Sequence, residues 1–218
     1  MSTHVGVILD MSGSMGVAVD DTKGSISNYV KGLKKELKDG IFSFTIFDTV
    51  FENWVNSKPL KDIDIDNVLA KYQPRGWTAL YDAIGVTVKK MKKNVDEFDR
   101  AILVIVTDGY ENSSRKYDET KINKILTKLQ KNGNWTVVFL GANIDSWAAA
   151  RRIGIFDGNV AQYSYGKGQF RSSDALLRGT THFYQSGAKA TNSLFADAKL
   201  SQDYTEDKST NKKLLKKA

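Results

Sequence analysis

The sequence has no cysteine, only two prolines and only two histidines in 218 residues. Without cysteine the chain can form neither disulfides nor a thiolate metal site, which is typical of proteins from reducing compartments. The two prolines are isolated, so no proline-rich linker divides the chain. No apolar run reaches the ~20 residues of a membrane-spanning helix. The N-terminus lacks the basic start and apolar centre of a signal peptide, and we therefore expect a cytoplasmic protein without a membrane span.

The composition is that of a folded domain with a basic C-terminus. Hydrophobic residues make up 41% of the chain, enough for a buried core, and the length suits one domain. We predict a domain over residues 1–197, followed by a polar, lysine-rich tail over residues 198–218. Five lysines lie in the last eleven residues of this tail: Lys208, Lys212, Lys213, Lys216 and Lys217. The formal net charge of +7 favours weak attraction to polyanions but carries no information about the fold.

Apolar strands alternate with amphipathic helices along the chain. Short apolar runs predict strands at residues 5–9, 41–47, 50–55, 101–106, 136–140 and 160–165. Helical spacing of apolar residues predicts helices at residues 22–38, 68–72, 79–93, 122–129, 148–153 and 172–197. Gly179 and Gly187 count against the last of these helices.

The order of these elements predicts an α/β fold. Repeated strand–helix–strand units are typical of a doubly wound, mostly parallel central sheet with helices on both faces. The Asp48-Thr49 turn between the second and third strands permits only an antiparallel pair, which predicts one antiparallel edge strand. In such a sheet the parallel strands end at one edge, and ligands bind outside their carboxyl ends.

Side chains that carry oxygen follow the two most apolar strands at that edge. Asp10, Ser12 and Ser14 follow the first strand, and Asp108 follows the fourth. Thr78 lies in the loop that enters the third predicted helix. Two carboxylates and three hydroxyls suit a hard cation such as Mg²⁺ or Mn²⁺ and do not suit Zn²⁺. Because two anionic ligands only balance a divalent charge, such an ion would keep positions open for an external anionic oxygen.

These motifs resemble the metal-ion-dependent adhesion site of the von Willebrand factor type A (vWA) domains. The shared motifs are Asp10-x-Ser12-x-Ser14, Thr78 within Gly-x-Thr-x-Leu-x-Asp-Ala, and Asp108 within Thr-Asp-Gly. They stand in the family's order and at fitting spacings, and the resemblance covers about residues 4–165. It implies that these five residues hold Mg²⁺ directly or through water, and that an Asp or Glu carboxylate from a partner protein completes the metal shell.

The resemblance also implies a binding module rather than an enzyme. The chain most resembles the stand-alone bacterial or phage type of vWA domain. Domains of this type often serve as adaptors, in some cases beside ATPase assemblies of the chelatase kind. We therefore expect a non-enzymatic, metal-dependent protein-binding module of the Rossmann-like class whose partner presents an acidic residue.

Two other classes of function remain open. Net positive charge and the lysine-rich tail agree with nucleic-acid or polyanion binding, although no aromatic residues are interleaved in the tail to stack on bases. A metal-dependent phosphohydrolase with Asp10 as nucleophile would need an acid two residues later to protonate the leaving group, and Ser12 occupies that position. A serine hydrolase would need a nearby base, but His4 starts the first strand and no motif links His182 to the site.

Several residues near the five predicted ligands have alternative structural roles. Asp10 and Ser12 could serve only as a helix cap. Asp82 could compensate the helix dipole or hydrogen-bond to the site, and Asp20 and Asp21 are interpreted as helix-start residues. Four more residues flank the predicted ligands and are expected at the rim of the site: Trp77, Tyr110, Glu111 and Asn112.

Overall fold

One six-stranded sheet forms the centre of the protein in the computed structural model, which describes residues 1–165 and 167–197. The strands are β1 (Thr3–Asp10), β2 (Gly40–Phe47), β3 (Phe51–Pro59), β4 (Arg100–Thr107), β5 (Trp135–Ala142) and β6 (Val160–Tyr163). Their order across the sheet is β3-β2-β1-β4-β5-β6. All neighbours are parallel except β2 and β3. The predicted parallel sheet with one antiparallel edge strand is therefore confirmed.

Helices cover both faces of the sheet, as predicted. They are α1 (Val19–Glu36), α2 (Ile65–Leu69), α3 (Leu80–Met91), α4 (Glu119–Lys131), α5 (Ser146–Arg152), α6 (Lys167–Ser186) and α7 (Leu194–Asp197). One core contains side chains of α1, α2, α6 and α7, and the other contains side chains of α3, α4 and α5. The doubly wound α/β architecture is thus confirmed.

Alternation along the strands separates the two cores. In β1, Val5, Val7 and Leu9 face the core beneath α1, whereas Ile8 faces the core beneath α3. Both faces are covered, so all eight residues of the strand are buried. This explains why the sequence shows an unbroken apolar run here instead of an alternating one.

The elements after β5 differ most from the sequence prediction. The helix predicted over residues 172–197 is two helices, of which α6 begins at Lys167 and ends before Gly187, where φ is +72°. Gly179 lies inside α6. A side chain is excluded at this position, because a Cβ there would stand 2.9 Å from the carbonyl oxygen of Leu194. A tight contact with α7, which local periodicity cannot reveal, therefore accounts for this glycine.

Other element boundaries also differ from the predicted ones by a few residues. The short helix predicted at residues 68–72 is α2, which ends at Leu69, and the strand predicted at residues 160–165 ends at Tyr163. The predicted tail, residues 198–218, lies outside the described residues. In the part of the chain that the structure describes, no helix is both long enough and apolar enough to cross a bilayer.

Candidate metal site

Backbone hydrogen bonds hold two of the predicted ligand loops together. The N–H of Met11 donates to the carbonyl of Phe47 at 2.6 Å, which extends the β1–β2 pairing past Asp10. The carbonyl of Met11 accepts the N–H of Arg75 at 2.8 Å, and the N–H of Gly13 donates to the carbonyl of Gly76 at 3.2 Å. The loop after β1 and the loop before α3 therefore lie against each other, although more than 60 residues separate them.

Asp10 is fully buried at the carboxyl end of β1. Its Oδ1 accepts the N–H of Ser12 at 2.6 Å, and its Oδ2 accepts the hydroxyl of Thr107, the last residue of β4, at 2.6 Å. Burial raises the pKa of Asp10 to about 6, against the hydrogen bonds from Thr107 and Ser12, and the nearby charge of Asp108 adds to the rise. A cation beside Asp10 would stabilise its ionised form, which burial disfavours.

Hydroxyls connect the first motif to Asp108. The Ser12 and Ser14 oxygens lie 3.1 Å apart, and the Ser14 hydroxyl donates to Oδ1 of Asp108 at 2.6 Å. Ser12 precedes a short 3-10 turn, Gly13–Ala18, and its side chain makes no capping hydrogen bond there. The alternative in which Ser12 serves only as a helix cap is therefore wrong.

Thr78 is placed by the loop that follows β4. Its N–H donates to Oδ1 of Asn112 at 2.9 Å, and its carbonyl accepts the N–H of Asn112 at 3.0 Å. A Cβ built on Gly109 would stand 3.2 Å from the Thr78 hydroxyl oxygen and 3.9 Å from the Ser14 hydroxyl oxygen. The hydroxyls of Thr78 and Ser14 therefore converge on the same point beside Asp108.

The structure thus brings all five predicted residues to one edge of the sheet. Asp10, Ser12, Thr78 and Asp108 are buried, whereas Ser14 is exposed. The described residues contain no cluster of three or more His, Cys, Asp or Glu side chains of the kind that commonly binds metals. Hydroxyls instead make up most of this donor set. Two carboxylates with three hydroxyls, all oxygen, fit a hard divalent cation.

Two tyrosines that sequence reasoning missed also contact the site. The hydroxyl of Tyr165 donates to Oδ2 of Asp108, and the hydroxyl of Tyr72 donates to the backbone carbonyl of Asp10 at 2.7 Å. Burial raises the pKa of Tyr165 well above its usual value, and its contact with Asp108 adds to that rise. The signal for Tyr165 was its position after β6, because the rule about carboxyl ends applies to that strand as well.

A third tyrosine lies beside these two without a hydrogen bond. The ring of Tyr163 meets that of Tyr165 edge to face, with the ring centres 6.3 Å apart. Tyr163 is buried, and its hydroxyl has no hydrogen-bond partner in the described structure. Burial raises the pKa of Tyr163 well above its usual value, as expected for a phenol that is kept neutral.

The turn between β2 and β3 braces the Thr78 loop. The carbonyl of Asp48 accepts the N–H of Ala79 at 2.8 Å, and its Oδ2 accepts Nε of Arg75 at 2.7 Å. Gly76 adopts a φ of +66°, and a Cβ there would stand 2.7 Å from the Thr49 hydroxyl oxygen. Only glycine fits this position without strain. The sequence predicted a turn at Asp48-Thr49 but not its role in placing Thr78.

Asp82 lies in the first turn of α3, as the helix-dipole interpretation predicted, and it also holds the loop after β4. It is buried, and its carboxylate accepts the N–H groups of Arg115, Lys116 and Tyr117 at 2.9–3.0 Å. Sequence analysis could not find this contact, because the partners lie more than 30 residues away in a segment without periodicity.

Residues predicted at the rim divide into two kinds. Trp77 and Tyr110 are large, exposed aromatic side chains. Glu111 instead turns back into its own loop, where its carboxylate accepts the N–H groups of Ser113 and Ser114. Asn112 is exposed, and its side-chain oxygen accepts the N–H of Thr78, as described above. Asp20 and Asp21 lie in the first turn of α1, which confirms their interpretation as helix-start residues.

Comparisons with known proteins relate this chain to others through structure alone. No protein-family model and no curated protein sequence matches it. The structure is similar to the PilB minor pilin from Streptococcus sanguinis, with a TM-score of 0.64, 13% identity, and coverage of 83% of this chain and 61% of that chain. It is also similar to the pilus adhesin SpaC from Lactobacillus rhamnosus GG, with a TM-score of 0.67, 10% identity, and coverage of 83% and 30%.

A third similar structure is a von Willebrand factor type A protein from Catenulispora acidiphila. The TM-score is 0.61 at 12% identity, and the alignment covers 83% of this chain and 43% of that chain. The chain thus spans less than two thirds of the length of each of these three proteins. Structural similarity at identities this low shows the fold alone. The described chain has the vWA-like, Rossmann-like α/β fold.

Proposed function

We propose that this chain is a metal-dependent protein-binding module with a metal-ion-dependent adhesion site. Its metal would be Mg²⁺ or Mn²⁺, and its partner would be a protein that presents an Asp or Glu carboxylate. The residues that would hold the metal, directly or through water, are Asp10, Ser12, Ser14, Thr78 and Asp108. Bound there, the metal would supply an electrophilic centre for an anionic oxygen.

The observation that carries this proposal is the convergence of five oxygen donors from three distant segments at one sheet edge. Asp10 and Asp108 are both buried, although burial opposes ionisation and neither has a basic partner among the described residues. A divalent cation would balance the two negative charges. Each carboxylate oxygen has two lone pairs, so the hydrogen bonds that Asp10 and Asp108 accept leave acceptor capacity for a cation.

The contacts around the site support binding rather than catalysis. A general base would have to lie within hydrogen-bond reach of a reacting group. His4 lies at the opposite end of β1, where its Nε2 forms a hydrogen bond with Oδ2 of Asp99 at 3.1 Å. The carboxylate of Asp82 already accepts hydrogen bonds from three backbone N–H groups. The fold is also shared with a minor pilin and a pilus adhesin, which is an analogy in favour of a binding role.

A pull-down from the native lysate tests the proposal. We expect a partner that binds in Mg²⁺, is released by EDTA, and is lost with the Asp10→Asn variant. Thr78→Ala should weaken partner binding more than Mg²⁺ binding, because its loop must approach the metal as the partner's carboxylate arrives. Replacing the acidic residue of the identified partner by its amide should cost about as much as adding EDTA.

Two results would point to the other classes of function. A complex that is insensitive to EDTA but weakens steeply with salt would favour nucleic-acid or polyanion binding. Hydrolysis of phosphomonoesters that disappears in the Asp10→Asn variant would favour a phosphohydrolase. An ATPase-type assembly in the metal-dependent fraction would agree with the adaptor role that the family resemblance implies.

A further inference from the structure

Four large apolar side chains stand exposed on the loops around the candidate metal site. They are Val17, Val50, Trp77 and Tyr110, with exposed fractions of 78%, 55%, 68% and 54%. Only three other large apolar side chains among the described residues are exposed to a similar degree: Met1, Phe98 and Phe156. We call the four residues the apolar rim. Their concentration at one edge of the sheet marks this edge as an interaction surface.

The loops that carry the apolar rim are bound to one another. The N–H of Trp77 donates to the Thr49 hydroxyl at 3.0 Å, which joins its loop to the turn that carries Val50. The hydrogen bond between Gly13 and Gly76 joins it to the loop that carries Val17. The hydroxyl of Tyr110 accepts the N–H of Asp145 at 3.0 Å, so the Tyr110 ring is fixed while its face stays exposed. A preorganised surface loses little conformational entropy on binding.

Charge is distributed unevenly around the apolar rim. On the side of the β2–β3 turn, Lys116 lies 5.5 Å from the ring centre of Phe51, and the exposed Arg115 is next to it in sequence. Neither cation forms an ion pair with a carboxylate among the described residues. On the side of Val17, the exposed Asp20 is the nearest acid in sequence. An acidic partner would therefore be attracted to the Lys116 side.

The acids on the Lys116 side keep their charges but are held in contacts within the protein. Both oxygens of Glu111 accept backbone N–H groups, and Asp82 accepts three. Asp48 and Glu52 both pair with Arg75. Lys116 and Arg115 are the cations on that side that have no carboxylate partner among the described residues.

We propose that the partner segment is an acidic stretch of protein with an aromatic or branched aliphatic residue next to its metal-binding carboxylate. The apolar residue packs on Trp77 and its neighbours in the apolar rim. A further acid of the partner faces Arg115 and Lys116. This inference rests on the proposed function and adds the chemistry of the partner to it. An acidic protein segment fits the whole apolar rim better than a nucleic acid does, because bases could stack on Trp77 and Tyr110 but not on Val17 and Val50.

Selection from a phage-displayed library of random linear peptides tests this inference. The full chain is immobilised in Mg²⁺, and bound phage are eluted with EDTA. We expect enriched peptides in which Asp or Glu adjoins Trp, Phe, Tyr, Leu or Ile, with a second acid nearby. Synthetic versions of these peptides then provide the probe for binding measurements.

Trp77→Ala should weaken binding of the enriched peptide about tenfold or more, as expected for an aromatic anchor. Phe98→Ala is the matched control, because Phe98 is 66% exposed but lies outside the apolar rim, and it should leave binding unchanged. Lys116→Glu should weaken peptides that carry the second acid and spare those that lack it. All three variants should bind Mg²⁺ as the native chain does.

Other results of the selection would contradict either this inference or the proposed function. Enriched acidic peptides without an apolar neighbour, or equal binding by the Trp77→Ala variant, would overturn this inference and leave the proposed function standing. Failure to enrich any peptide would overturn the inference as well. Peptides that bind equally in Mg²⁺ and EDTA would overturn the metal-bridged function itself. Competition by a single-stranded DNA oligonucleotide that depends on Trp77 would assign the apolar rim to nucleic acid.

Discussion

Asp10 is a carboxylate that the protein holds away from water, and this makes the metal-free state less stable. Its pKa in the folded protein is about 6, above the ordinary value of 3.8, chiefly because of burial. A raised pKa means that the contribution of Asp10 to stability is fully present below pH 3.8 and is lost as the pH rises through about 6. At neutral pH the metal-free protein therefore carries an unfavourable buried charge.

Asparagine at position 10 would remove that charge and keep the hydrogen bonds. The Thr107 hydroxyl also lies 3.2 Å from the carbonyl of Gly109, so it can donate there and accept from the amide of the new side chain. The N–H of Ser12 can still donate to the amide oxygen. The substitution should therefore fit without strain.

The first prediction is that Asp10→Asn stabilises the metal-free protein. In EDTA at pH 7 its free energy of unfolding should exceed that of the native chain by about 1–3 kcal/mol, the size implied by a rise of about two pKa units. The difference should close as the pH falls from about 6 towards 3.8. Urea unfolding at several pH values measures this. An asparagine variant that is less stable at pH 7 would contradict the account.

Tyr165 positions Asp108 through a single hydrogen bond. Groups that orient a metal ligand commonly change metal affinity about 10–100-fold when they are removed. The second prediction is that Tyr165→Phe lowers Mg²⁺ affinity about tenfold with little change in stability. Tyr163→Phe is the control, because that hydroxyl is buried without a partner, and its loss should leave affinity unchanged. Equal effects of the two substitutions in calorimetric titrations would remove Tyr165 from the site.

At the scale of elements, one side chain at the start of α3 holds the second half of the loop between β4 and α4. Asp82 accepts three backbone N–H groups from this loop, and the same loop supplies the contacts of Asn112 with Thr78. Loss of the carboxylate would leave three donors without their partner.

The third prediction is that Asp82→Ala lowers the free energy of unfolding by at least about 3 kcal/mol, since each of the three lost hydrogen bonds to a charged group contributes about 1–3 kcal/mol. Asp118→Ala provides the comparison. Its carboxylate caps α4 by accepting one N–H, that of Lys121, and such caps contribute about 1 kcal/mol. Similar losses in the two variants, measured by urea unfolding, would show that Asp82 does not hold the loop.

Elements with a strong local signal were predictable from the sequence. β1 and β4 are buried on both faces, so each appears as an unbroken apolar run that ends at a candidate ligand or just before one. The short β2–β3 turn predicted the antiparallel edge strand correctly. The prediction of α6 was less accurate, because Gly179 counted against a helix. This glycine is explained by a close contact with α7 and not by the conformation of α6 itself.

At the scale of the whole molecule, the sheet order explains why the placement of Asp10 and Asp108 at one edge could be predicted. β1 and β4 are parallel neighbours, so Asp10 and Asp108 come to the same edge, side by side. That inference needed only the rule for parallel sheets. The Tyr165–Asp108 contact was not predictable in the same way, because β6 lies two strands from β4 and its end was placed two residues late. The residues that brace the loops, Asp48 and Asp82, act through contacts that leave no pattern in the sequence.

The central claim is that a divalent cation binds where Asp10 and Asp108 meet. Calorimetric titration of the native chain and the Asp10→Asn variant with Mg²⁺ tests it most directly. The account predicts one saturable site in the native chain and no binding in the variant, even though the variant is the more stable protein without metal. Equal Mg²⁺ affinity in the two proteins, or no binding by the native chain to Mg²⁺ or Mn²⁺, would contradict it.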